Sequence, residues 1–198
     1  MKKWKCICVL LVIPLLASVW GYRYRTLNRY YEGLSNVTEE TFEIGEEIEF
    51  GVDYIDYGLK ADGYSICVDK FEVLDYDVFK ELYGSSCKSN GRVPDKLALV
   101  SITLRNHGSS DDGVPLAELE LFGVDELIFM DYELLQNLNP VLQGNLGISL
   151  ADNTEFKLLL PYGLYQNNFG SETWDKIDQY DFFLQVTTHP ICKVVNLK

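Results

Sequence analysis

Between Leu97 and Asn106 the chain alternates, with Ala98, Val100, Ile102 and Leu104 on one side and Ser101, Thr103 and Arg105 on the other. Successive side chains of a strand point to opposite faces, so this period predicts a half-buried strand of an antiparallel sheet. Tyr64 to Leu74 predicts another strand whose apolar face switches near Lys70, as one extra residue in the ladder would cause. Alternation recurs at Ala117–Leu121, at Glu155–Leu160 before Pro161, and at Asp181–Thr188 before Pro190. An interrupted edge strand is expected from Thr41, with Phe42, Ile44, Ile48 and Phe50 broken by Gly45. Helical spacing is short by comparison. Val78, Phe79 and Leu82 predict a helix stopped by Gly84, and Glu133–Asn139 reads as a helical turn or an irregular crossing. Strands separated by polar turns, without alternating helices, predict an all-β sandwich.

The first twenty-odd residues follow a different pattern. Cys6 to Tyr22 carries no charge and lies between Lys2, Lys3 and Lys5 on one side and Arg23 and Arg25 on the other. A secretory signal has a basic start and an apolar middle, whereas a membrane-spanning helix needs about 17–25 apolar residues, and this run suits either. Val19-Trp20-Gly21 is a poor cleavage site because a bulky Trp precedes the glycine, which favours a retained anchor. The expected organisation is residues 1–21 as signal peptide or membrane anchor, 22–41 as juxtamembrane spacer and 42–198 as the sandwich. That places the domain on the extracytoplasmic face of the cell membrane or, if the leader is cleaved, outside the cell.

Charge narrows the partners. The chain has 17 Lys and Arg against 30 Asp and Glu, and residues 1–21 remove three lysines and no acid, leaving a net charge of about −16 beyond the leader. Such a surface repels phosphate backbones, so nucleic acid is not an expected partner. At 47% hydrophobic and 13% aromatic the chain is far too apolar for a disordered acidic tail.

The candidate chemistry is sparse. Cys67, Cys87 and Cys192 form no CxxC pair, so metal binding has no ligand pattern, and a Cys67–Cys87 bridge stands against three idle thiols. His107 neighbours Ser109, Ser110, Asp111 and Asp112, but consecutive turn residues do not converge on one reacting atom. The acidic stretch Glu39–Asp56 lacks the Asp-x-Asp-x-Asp-Gly spacing of a calcium loop. No catalytic, cofactor-binding or metal-ligating residue is nominated. Tyr165, Phe169 and Trp174, interleaved with Gln166, Asn167 and Asn168, form a candidate binding patch, because flat rings beside amides suit sugar or peptide recognition. The alternative is that this segment plugs the end of the core with aromatics.

Gly45-Glu46-Glu47-Ile48, the strand Leu99–Asn106, and Leu158-Leu159-Leu160-Pro161-Tyr162 together resemble the telokin-like, immunoglobulin-like sandwiches of exported Gram-positive proteins of unknown function. The likeness spans about residues 42–190. It implies an immunoglobulin-like antiparallel β-sandwich with short helical insertions and an N-terminal apolar helix, and it transfers no catalytic residue. The expected function is a non-enzymatic extracytoplasmic binding module, held at the membrane through its N-terminal helix and meeting an unknown protein or cell-envelope partner. A cell-envelope hydrolase using loop carboxylates and a ligand-sensing accessory of a membrane complex are the alternatives.

Overall fold

Gly45 separates two short strands, and its φ of 91° allows a turn that few side chains tolerate. The chain enters through β1 (Thr38–Glu43) and leaves this turn in β2 (Glu47–Glu49), which belongs to a different sheet. The structure is a computed structural model that describes residues 18–24, 37–56, 58–84, 92–108, 113–124 and 126–198. It divides into two units, Met1–Val37 and Thr38–Lys198. In the first, residues 18–24 are helical and Trp20 stacks on Tyr24. The apolar run at 6–17, on which the signal or anchor reading rests, lies outside the described residues. Among those described, no helix is long and apolar enough to cross a membrane.

The second unit is mostly β and is built from several sheets. After β3 (Tyr54–Asp56) and β4 (Leu59–Lys60), which pair as a hairpin, come β5 (Tyr64–Asp75), α1 (Tyr76–Tyr83) and β6 (Lys96–Asn106). Then follow β7 (Glu120–Gly123), β8 (Glu126–Ile128), α2 (Tyr132–Leu138), β9 (Thr154–Leu164), α3 (Ser171–Trp174), β10 (Phe182–Gln185) and β11 (Ile191–Asn196). One sheet runs β1-β11-β10-β7-β8 and another β2-β5-β6-β9, with the β3-β4 hairpin separate. Ile66, Val100, Ile102 and Leu104 share one buried cluster with Leu121, Phe182, Leu184 and Val195. Burial of such apolar area is the dominant favourable contribution to folding.

Several sequence expectations hold in detail. The register of β5 against β6 shifts between Val68 and Lys70, where the face was expected to switch. Gly84 ends α1 with φ 96°, and the helical turn read at 133–139 forms as α2, with a cap the sequence reading did not include, Asp131, accepting from the Glu133 and Leu134 amides. Other expectations are corrected. Strand β6 is not half-buried along its length, because Leu97 and Leu99 on its second face are fully covered by Tyr76, Phe79 and Leu134, a second small core beneath α1 and α2. Pro161 does not stop β9, which runs on to Leu164 with Pro161 opposite Leu99. As an edge strand of its sheet, β9 tolerates a residue without an N–H. Residues 116–118 form a single 3-10 turn rather than the start of a strand, so β7 begins only at Glu120. β1 begins at Thr38, inside the stretch read as spacer, because it pairs in parallel with β11.

Candidate functional site

A groove of about 770 Å³ opens among the described residues. Gly58, Leu59 and Lys60 line it from the β3-β4 hairpin, and 113–118 and 145–149 supply the remainder. The last two segments lie side by side. Val114 and Ile148 exchange both backbone hydrogen bonds, at 2.8 and 3.0 Å, and the Ala117 amide donates to the Leu146 carbonyl at 3.1 Å. Two glycines permit this approach. A Cβ on Gly113 would stand 2.6 Å from the Ile148 oxygen, and one on Gly147 would stand 2.9 Å from the Val114 oxygen. Leu59 and Leu146 are 43% and 41% exposed, so apolar surface is open to an occupant. A volume of about 300–1,000 Å³ is what ligand sites commonly show, and this groove mixes the apolar Leu59, Val114, Leu146 and Ile148 with the polar Lys60, Glu118, Asn145 and Ser149.

The charges beside the groove are predominantly negative. Glu118 lines it, and Glu120 and Asp56 stand close enough to act on one another. Burial, reinforced by Asp56 and Glu118, pushes the Glu120 carboxyl above its ordinary value. Lys60 is the groove's cation, and its ammonium lies 4.1 Å from the centre of the Tyr54 ring. His189 stacks on the same ring at 4.6 Å.

The aromatic patch read from sequence is brought together but largely occupied by the chain itself. Phe169 and Trp174 stack at 6.0 Å and pack against the main core, half-buried. Arg92 lies 4.0 Å over the Tyr165 ring and donates to the Asn167 side chain, while Lys96 sits 5.9 Å from Trp174. Cations over ring faces satisfy the attraction that a ligand would otherwise supply.

A second polar group forms on the outer face of the four-stranded sheet. The Ser65 hydroxyl donates to Glu47 at 2.6 Å and lies 2.9 Å from His107 Nε2, while Arg105 pairs with Glu47 and Glu155, each at 2.9 Å. These are the residue types of a catalytic triad in the wrong arrangement. A triad acid holds the far ring nitrogen of its histidine, but Glu47 approaches Nε2 itself, at 3.5 Å, and Ser65 is fully buried. The network is a clamp across strands. Sequence reading placed His107 with Ser109–Asp112, all of which lie outside the described residues, and so did not reach Ser65, whose contact depends on strand pairing.

That clamp carries a pH prediction. Ser65 and then Arg105 hold the Glu47 carboxyl below its ordinary value of 4.5. A carboxylate depressed in the folded state contributes stability that is present above its unfolded value and is lost as pH falls through the folded one. Unfolding free energy measured by urea titration should therefore fall below pH 4.5 more steeply in the wild type than in Glu47→Gln. Equal slopes would remove Glu47 from the acid response.

Cys67 and Cys192 carry free thiols, each raised above its ordinary value mainly by burial, and Cys87 lies outside the described residues. A buried, raised thiol is a poor nucleophile. Among the described residues no group of His, Cys, Asp and Glu is placed to hold a metal ion.

A β-rich sandwich carrying an open groove at its surface defines a class of domain rather than an activity. Residues 39–193 match the model of the family described as Domain of unknown function (DUF5028), and the chain belongs to that family. No curated protein sequence matches it. Among solved structures it is similar to the yjhA protein from Bacillus subtilis, at 13% identity, covering 79% of this chain and 99% of that one with a TM-score of 0.47.

Proposed function

We propose that this protein is a non-enzymatic, extracytoplasmic binding module of immunoglobulin-like, telokin-like topology, tethered by its N-terminal segment or secreted, and that the groove is its binding site. The observation that carries the reading is the 770 Å³ groove with Leu59 and Leu146 exposed in its lining. Isolated exposed leucines are ordinary, but two lining one cavity offer an occupant apolar contact. The topology is supported by the parallel pairing of β1 with β11 at one edge of the five-stranded sheet, with the remaining neighbours antiparallel. At the Ser65 face the polar groups engage one another as a clamp across strands, which supports a structural rather than a hydrolytic role there.

The test is site-specific photocrosslinking in intact cells. A photoreactive residue at position 59 or 146 should give a discrete adduct, whereas one at Val78, equally exposed on α1, should not. Identical adduct patterns from all three positions would defeat the groove as the site. N-terminal sequencing of the mature chain tests the tether, since a start near Tyr22 means secretion.

A further inference from the structure

We propose that the groove takes an extended polypeptide segment bearing basic side chains, which adds as a strand to the backbone edge at 147–149. This rests on the binding reading above and names its ligand class. Because Val114 and Ile148 bond to each other through both N–H and C=O, the flanking Gly147 and Ser149 turn their backbone groups away from that pairing. Among the described residues, no hydrogen bond engages the Gly147 or Ser149 amide. Both residues line the groove. A free extended edge is a template for another strand, which supplies main-chain bonds while its alternate side chains enter pockets.

The longer edges of the sandwich are blunted by contrast. β1 presents Glu39, Glu40 and Glu43 as exposed carboxylates, and β9 is covered where the Asp131 amide donates to Pro161 and the Gly163 amide donates to Phe129. Charged or covered edges are how sheets avoid unwanted pairing, so an uncharged, uncovered edge inside a cavity is a place where pairing is allowed. The sign of the occupant follows from Asp56, Glu118 and Glu120, three carboxylates against the one groove-lining cation among the described residues, Lys60, whose ammonium is already held 4.1 Å over the Tyr54 ring. None of the three is in an ion pair among the described residues, and Asp56 and Glu118 both repel the Glu120 carboxylate, a repulsion that a cation on the ligand would relieve. With a chain net charge of −13, a second copy of this protein is disfavoured as the occupant.

The full chain should be titrated, by fluorescence polarisation, against three fluorescein-labelled hexapeptides. One alternates lysine and valine, one alternates glutamate and valine, and the third is the lysine peptide N-methylated on alternate amides. The lysine peptide should bind saturably and at least about tenfold more tightly than the glutamate peptide, and N-methylation should abolish binding. Glu118→Lys should weaken the lysine peptide about tenfold, whereas Glu40→Lys, the same charge change on β1, should leave it unaltered. Far-UV circular dichroism establishes that each variant is folded. Equal binding of the N-methylated peptide would overturn strand addition, and equal weakening by Glu40→Lys would overturn the groove's charge as its cause. If no peptide binds while the adducts at positions 59 and 146 persist, the peptide proposal falls and the binding site stands. If the adducts fail as well, both fall.

Discussion

Asp53→Ala is expected to destabilise the protein by about 3–5 kcal/mol, because it strands a buried ammonium. Lys193 Nζ lies 2.7 Å from Asp53, donates to the Glu49 carbonyl at 2.7 Å and to Phe50 at 3.2 Å, and both charged side chains are nearly closed to solvent. Lys193 belongs to β11 in the five-stranded sheet, while Glu49 ends β2 in the other. The pair therefore fastens the loop after β2 across the sandwich. Taking two ions out of water is expensive, and their attraction offsets the expense only while both are present. Lys193→Met leaves Asp53 buried without its cation and should be similarly damaging. The double variant Asp53→Ala with Lys193→Met should be less harmful than the sum of the two, leaving mainly the carbonyls of Glu49 and Phe50 to find other donors, a loss of about 1–3 kcal/mol. Urea denaturation of all four proteins measures this cycle. Additive single effects would show that the two groups stabilise the fold independently.

Gly113→Ala is the second large effect, expected at about 2–4 kcal/mol from backbone strain and overpacking together. Gly113 has φ 72°, a conformation that L side chains rarely adopt. Its hypothetical Cβ also meets backbone, the Ile148 carbonyl at 2.6 Å, which cannot swing aside as a long side chain would. The change should separate 113–115 from 147–149 and deform the groove. Gly144 isolates the strain component, since its φ is 90° but nothing stands within 4 Å of a Cβ there. Gly144→Ala should therefore lower stability by only about 1–2 kcal/mol and leave the groove intact. Thermal and urea unfolding of the two variants compares them directly. Similar losses would mean that backbone conformation alone, rather than the contact with Ile148, makes glycine necessary at 113.

The local pattern accounts for much of what forms. The β5 bulge beyond Val68, the end of α1 at Gly84 and the long alternation of β6 all reflect residues within one short window. Leu146, Ile148 and Leu150 also alternate after Gly144, a period-two signal for the extended segment at the groove that is easily lost in the long stretch from 122 to 150. The aromatics at 165–174 were legible as a cluster, but their use was not, because Arg92 and Lys96 reach them from some seventy residues away.

The amino-acid sequence by itself determined the β-rich class, the position of most strands, the helix stops and the acidic surface, since each depends on side-chain alternation, glycine conformations or net charge. Tertiary structure alone decided that β1 pairs in parallel with β11, that Leu97 and Leu99 are buried on a second face, and that Asp53 meets Lys193. The groove is of the same kind. Gly113 and Gly147 carry no signal as a pair until the chain brings their segments within a hydrogen bond of each other. Pairings between distant segments depend on register and on the whole buried cluster at once, and no local window of residues contains that information.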